Sequence, residues 1–587
     1  MDRRTALGAA AGGLAVATGL VTIPAAAVAA APECTALAPG GPIQVTPGCT
    51  DPLYAHPVID QEQDLTAPIQ HRRVSGHFEG TGIKFTIYLP PARQWRGRFF
   101  QYTYPQSDEN ALDRVVAFGA ASGGYTVQAS GTTGYRHDAA AAKFARTVAA
   151  AYYRCGARRI HGYLYGPSGG SFQTVGAIEN TTGVWDGAVP IVLGVPTSIP
   201  TNFFVRAQAR MVLRGVADRI SEAVRPGGSG RPYAGLTAAQ AAMLHEATSL
   251  GVPLKAWTDP DYVLGLSAPD GLLGFGAVIQ QLDPTYADDF WSKPGYLGTE
   301  QSALGDIVRA ELARTGDRWA VALPSYYRHQ VPPADQGYDA FDVLRGRDGL
   351  PRYPQRALLV GPLISSGVTG GGTYTGKING KVIVVDNLVD SDAFPWHAAW
   401  YARRIASGDN FRLYYNDNAD HLEGPVTGAK ANRIVSYDPI VEQALRDVAA
   451  WAERGIAPPR STGYDLIDGQ VTVPASAIRR RGIQPVVDLA VRGRDRVEVK
   501  AGGRVDFVGT VQTPPGAGVI VAAGWDFTGS GDFVPAAPAL TMRGSHRFTE
   551  PGTYYVSLKV ASSRSGHVEP FAQVENLDRV RVVVHPG

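Results

Sequence analysis

The chain is poor in cysteine, in net charge and in long apolar runs, and each shortage narrows what it can be. Only three cysteines occur in 587 residues. None belongs to a Cys-x-x-Cys pair, so zinc ribbons, iron–sulfur centres and thioredoxin-type redox motifs are excluded. Basic residues number 55 and acidic residues 53, for a net charge of +2. That balance provides no field for nucleic acid, and no Lys/Arg run points to an anionic membrane. Apart from one stretch at the start, no segment has the uninterrupted apolar length of a spanning helix. Apolar residues make up 44% and charged residues 18%, the composition of a folded protein too long for one core.

The exception is the N-terminus. Arg3 and Arg4 precede an Ala/Gly-rich apolar run over 6–23, then Pro24 and small residues. This pattern resembles a bacterial twin-arginine export signal, with cleavage expected near 29–31. It implies a secreted protein with no membrane contact after cleavage. In an oxidising compartment Cys34 and Cys49 are expected to close a small loop, leaving Cys155 as a buried small hydrophobe.

After the signal, residues 32–455 alternate strand-like and helix-like stretches. Strands are expected at 85–89, 98–104, 125–129, 160–165, 187–193, 381–385 and 411–415, with helices at 139–153, 169–179, 396–405 and 439–454. The alternation predicts an α/β fold with a mainly parallel, doubly wound sheet. It is interrupted over about 196–376 by helical runs, which reads as a lid inserted between two halves of the sheet. A Pro/Arg-containing stretch, 456–482, reads as a linker, so the chain up to Pro459 is expected to have its own core. Beyond it, 483–587 has the short alternating runs of an all-β sandwich.

Gly166-Pro167-Ser168-Gly169-Gly170 follows an apolar strand and opens a helical pattern. A serine thrust out of a strand-to-helix turn needs small flanks so that the backbone can fold tightly behind it. The helix start aims N–H groups at a developing oxyanion. A serine hydroxyl also needs a base. His421 lies in a polar turn after the strand at 411–415. The strand at 381–385 runs into three candidate acids: Asp390, which best fits the strand–turn–acid distance, Asp392 second, and Asp386 as a strand end. The oxyanion donors are expected from Gly169 and from Tyr104 or Gln106 in the loop after 98–104. Trp257 and Trp291 are candidates to line a substrate pocket, and the turn 526–532 reads as a loop tip rather than a calcium site. No cofactor or metal is called for.

The elbow at 162–170 and the His421 turn, with Trp95-Arg-Gly-Arg-Phe-Phe100, Trp185-Asp-Gly-Ala-Val-Pro190 and Leu236-Thr-Ala-Ala-Gln240, resemble the tannase and feruloyl esterase family of α/β-hydrolases. The family's cysteines beside serine and histidine are Pro167 and Leu422 here, and its Asp-rich calcium loop is absent, so its aromatic-ester specificity does not carry over. The tail, through Trp525-Asp-Phe527 and Phe548-Thr-Glu-Pro-Gly-Thr-Tyr554, resembles a PKD-type immunoglobulin-like domain. Together these imply an exported esterase with a Ser168–His421–Asp390 triad, acting on a small or polymeric ester, with its tail on an extracellular polymer. A peptidase, an amidase, a polymer hydrolase or an idle hydrolase scaffold used for binding are the alternatives.

Overall fold

The computed structural model describes residues 31–587 except Ser407. The expected export signal lies outside the described residues, apart from its last residue, Ala31.

Nine strands form the central sheet: β1 (Pro57–Leu65), β2 (His71–Phe78), β3 (Lys84–Leu89), β4 (Arg98–Tyr102), β5 (Gly124–Ala129), β6 (His161–Ser168), β7 (Gly187–Leu193), β8 (Lys381–Asn387) and β9 (Phe411–Asn416). Their spatial order is β1-β2-β3-β5-β4-β6-β7-β8-β9. The first three pair antiparallel and β3 meets β5 antiparallel. From β5 to β9 every pairing is parallel. The parallel strands are almost wholly buried, as strands covered on both faces must be.

Helices cover both faces. On one side α1 (Asp113–Ala121) and the late helix Asp438–Arg454 bury Phe118, Ile440, Leu445 and Val448 against Tyr163, Ile191 and Val385. On the other, α2 (Arg136–Tyr153) packs Ala139, Ala142 and Ala145 against Val127 and Leu164. Its small residues let it lie close to the sheet. There too, α3 (Gly169–Asn180) follows β6 directly. The interruption expected at 196–376 is helical. It opens with α4 (Ser198–Leu213) and has its own apolar core around Trp257, Tyr286, Phe290 and Tyr326, continuous with the sheet.

Strands β1 and β2 were absent from the sequence reading. Residues Pro57–Leu65 are polar and half-exposed at the sheet edge, with no apolar alternation to detect. The expected Cys34–Cys49 disulfide is present, and Val45 beside it is buried. Cys155 is free but half-exposed rather than buried.

The stretch 456–482 is not a free tether. The Thr462 N–H donates to the Leu413 carbonyl at 2.9 Å, extending the edge of β9. Its hairpin, β10 (Asp465–Ile467) and β11 (Gln470–Thr472), is pinned by Gln470 Nε2 to the carbonyls of Thr248 and Val252. The C-terminal region is two β-sheets. One has β12 (Val486–Ala490), β14 (Gly503–Gln512) and β17 (Thr541–Phe548). The other has β13 (Arg496–Lys500), β15 (Val519–Asp526), β16 (Val534–Ala536), β18 (Gly552–Ser563) and β19 (Val574–His585). Between them lie Phe507, Trp525, Leu558 and Val580. Ile483, Ala517, Val574 and Leu577 instead join the core under the helix Asp438–Arg454. Arg564 reaches across to Asp447 at 2.6 Å, and Asn418 Nδ2 to the Leu577 carbonyl at 2.9 Å.

Candidate active site

Ser168 sits where β6 turns into α3, with φ +52° and ψ −116°. A non-glycine residue in that region is strained, and the strain persists only where neighbours enforce it. The enforcement is visible at the flanks. A Cβ on Gly166 would lie 2.2 Å from the Thr103 carbonyl oxygen, and one on Gly170 would lie 2.1 Å from the same atom. Both glycines are therefore required by one backbone group. Thr103 is itself fixed: its N–H donates to the Tyr165 carbonyl at 2.9 Å, and its hydroxyl donates to buried Asp138 at 2.7 Å.

The loop after β4 closes over the start of α3. A Cβ on Gly169 would touch Pro105 Cγ at 2.8 Å. The Tyr104 N–H has no acceptor among the described residues, whereas the Gln106 N–H donates to the Gly131 carbonyl at 2.6 Å. The Gln106 N–H is thus already committed within its loop.

His421, at the turn after β9, bonds through Nδ1 to Asp390 Oδ2 at 2.7 Å. Asp390 is fully buried, and its other oxygen accepts the N–H groups of Asp392 (2.7 Å) and Ala393 (2.8 Å). Those donors fix the carboxylate's orientation. Burial disfavours the charged imidazolium, but the carboxylates of Asp390, Asp392 and Asp420 outweigh it and raise His421 to about 9. Asp392 lies close to His421 but is bonded to other partners. It pairs with Arg206 and accepts the Tyr262 hydroxyl at 3.1 Å. Asp386 is buried too and accepts the N–H groups of Leu193 and Asn387, with burial and the Asp390 charge pushing its carboxyl well above the usual range.

Among the described residues, Asp390, Asp392 and His421 are the one group of carboxylates and imidazoles close enough to share an ion. Asp390 is occupied by the imidazole and two N–H groups, and Asp392 by a guanidinium, so their lone pairs are engaged already.

Trp257 and Trp291 are not brought to this place. Trp257 is fully buried in the core of the helical insertion, and Trp291 donates to the Arg318 carbonyl. Aromatic residues in helical runs read equally well as core, and here they are core. The insertion contributes Tyr262 and Arg206 instead. The one available signal was the arginine at 206 within the apolar run Phe203-Phe-Val-Arg-Ala207. The Asp526 turn is not a free loop tip, since Asp526 is buried against Gly428–Asn432: its carboxylate caps the N–H groups of Thr528, Gly529 and Gly531 and accepts from Asn432.

The architecture is α/β, with the strained serine and the His–Asp pair both borne on turns that follow the parallel strands. No family model matches the chain, and no curated protein matches it. Solved structures similar to it include feruloyl esterase B from Aspergillus oryzae, with 14% identity, 71% of this chain and 91% of that chain covered, and a TM-score of 0.34. Tannin acyl hydrolase from Aspergillus niger is 12% identical over 71% of this chain and 86% of that one, with a TM-score of 0.32. An acetyl xylan esterase from Paenibacillus sp. R4 is 10% identical over 68% and 89%, with a TM-score of 0.30.

Proposed function

We propose that this protein is an exported serine hydrolase that cleaves carboxylic esters through an acyl-enzyme. The observations that support the reading are the buried Asp390 holding His421 at 2.7 Å and, on another turn after a parallel strand, Ser168 kept in a strained conformation at a helix start. Bound to Asp390, Nδ1 keeps its proton, which leaves Nε2 as the free base.

In this reading Ser168 Oγ attacks the ester carbonyl carbon and its proton passes to His421 Nε2. The N–H groups of Gly169 and Tyr104 receive the oxyanion. The carbon–oxygen bond to the alcohol then breaks, and the alcohol leaves with the proton from His421. Water, deprotonated by His421, attacks the acyl-serine, and its collapse returns the proton to Ser168 and frees the acid. Asp390 orients the ring and stabilises its charge throughout. Tyr262 and Arg206, both from the helical insertion, brace the acid loop, which supports the insertion's role as a cap. The Arg3-Arg4 signal supports export. The two-sheet tail supports an immunoglobulin-like module of the PKD type.

A fluorophosphonate probe should label Ser168 alone, and Ser168→Ala should abolish both labelling and hydrolysis of p-nitrophenyl acetate. The loss in turnover should be on the order of a million-fold. A wild-type chain that resists the probe would instead be an idle scaffold.

A further inference from the structure

Beside the site lies a cavity of about 520 Å³ that no step above uses. The volume falls within the roughly 300–1,000 Å³ typical of small-molecule sites. One wall adjoins the proposed machinery, since the Glu423 carboxyl feels the charge of His421. Tyr165 is three residues before Ser168, and Glu423 is two residues after His421. Its inner surface is aromatic: Phe118 and the edge-to-face pair Tyr102–Tyr165, with centroids 5.5 Å apart, are joined by Tyr437. The Tyr437 hydroxyl is buried and has no partner among the described residues.

Against these rings stand four carboxyl groups, Asp108, Glu423, Asp438 and Glu442, and one cation, Arg114. Arg114 is committed to Glu442 at 2.6 Å and is 3.9 Å from Asp438. Glu423 has only the Tyr102 hydroxyl, at 3.0 Å. Burial pushes Glu423, Asp438 and Glu442 upward, Glu442 to about 7, against the opposing charges of His421 on the first and Arg114 on the other two. These carboxylates do not converge closely enough to share a metal ion; the one such group among the described residues lies elsewhere. The deficit is therefore spread over an aromatic surface. A diffuse, weakly hydrated organic cation fits that surface best, since ring faces and carboxylates both attract it and its desolvation costs least.

We propose that this cavity receives the alkylammonium group of a cationic ester, a substrate class that rests on the hydrolase assigned above. The ammonium stacks on Tyr102, Tyr165 and Tyr437, with Glu423 as its counter-charge.

Choline and its uncharged isostere 3,3-dimethylbutan-1-ol differ only in that charge. The full chain carrying Ser168→Ala should be titrated with each by calorimetry, at fixed ionic strength and about pH 8, where Glu442 is ionised. Choline should bind at least about tenfold more tightly, and Glu423→Gln should cut that ratio to roughly threefold or less. Equal affinities, a preference for the neutral alcohol, or binding of neither would overturn the proposal, and this comparison stands without the variant. Wild-type turnover of the two acetate esters separates the two readings. Hydrolysis of both at equal kcat/KM overturns the cation site alone. Choline binding by a chain that hydrolyses no ester overturns the hydrolase and leaves the cation site standing.

Discussion

At the scale of single residues, the charge on His421 sets the pH at which it can work. As a base it must be neutral, and its carboxylate neighbours hold the proton up to about 9. For an uncharged ester, kcat/KM should therefore rise with pH and level off near that value. Asp390→Asn should shift the rising limb downward, because the largest opposing charge is gone, and should lower the plateau by several orders of magnitude. Asp392→Asn should shift it less, since that carboxylate is shared with Arg206. A pH–rate profile of the three proteins decides it, and a larger effect at Asp392 would reassign the acid. Stability has the opposite sign. A folded value above the unfolded 6.5 stabilises the native chain below that pH, and this contribution is gone once pH passes about 9.

The serine and histidine were legible in the sequence because their signals are local: glycines two residues either side of Ser168, and a polar turn after an apolar strand. The choice among Asp386, Asp390 and Asp392 was not. It depends on which carboxyl the buried N–H groups of 392 and 393 orient, and on Arg206 and Tyr262, which come from 128 or more residues away in the chain.

At the scale of elements, the elbow is a steric device. Both flanking glycines meet one carbonyl at close to 2 Å, and a backbone atom cannot swing aside as a side chain does. Gly170→Ala should cost about 3 kcal/mol or more and abolish fluorophosphonate labelling even where the chain still folds. Gly367→Ala is the matching control. It lies in the helix Val360–Thr369 with nothing within 4 Å of the added methyl, and should be neutral or stabilising by up to about 1 kcal/mol. Thermal melts of the two variants should move in different directions. The buried strands β5 to β8 could be read from their apolar runs, whereas β1 could not, because an edge strand of Asp, Glu and Gln residues has no apolar face to betray it, and β2 offers only Val74 and Phe78 as apolar residues.

At the scale of the whole molecule, the C-terminal sheets keep their own core but lend Ile483, Ala517, Val574 and Leu577 to the core beside the helix Asp438–Arg454. Composition suggested a linker at 456–482, and composition cannot report that Thr462 extends β9 or that Gln470 pins the insertion. A chain ending at Pro459 would uncover the apolar groups that Ile483, Ala517, Val574 and Leu577 cover beside the helix Asp438–Arg454. Its melting temperature should fall by on the order of 10 °C, from ~5 kcal/mol of lost apolar burial at roughly 2 °C for each. Turnover of a small ester should fall with it. Unchanged melting and turnover would show two independent cores. A single change at the seam is gentler: Asp447→Ala, which strands Arg564, should cost about 2 kcal/mol in urea unfolding.

The seam also constrains the order in which the chain can mature. Val574 and Leu577, which join the core beside that helix, belong to the last strand made, so this part of the seam closes only when almost the whole polypeptide has left the ribosome. During that interval a nascent chain exposes apolar surface that other nascent chains can find, so its yield should rise with chaperone cover during synthesis.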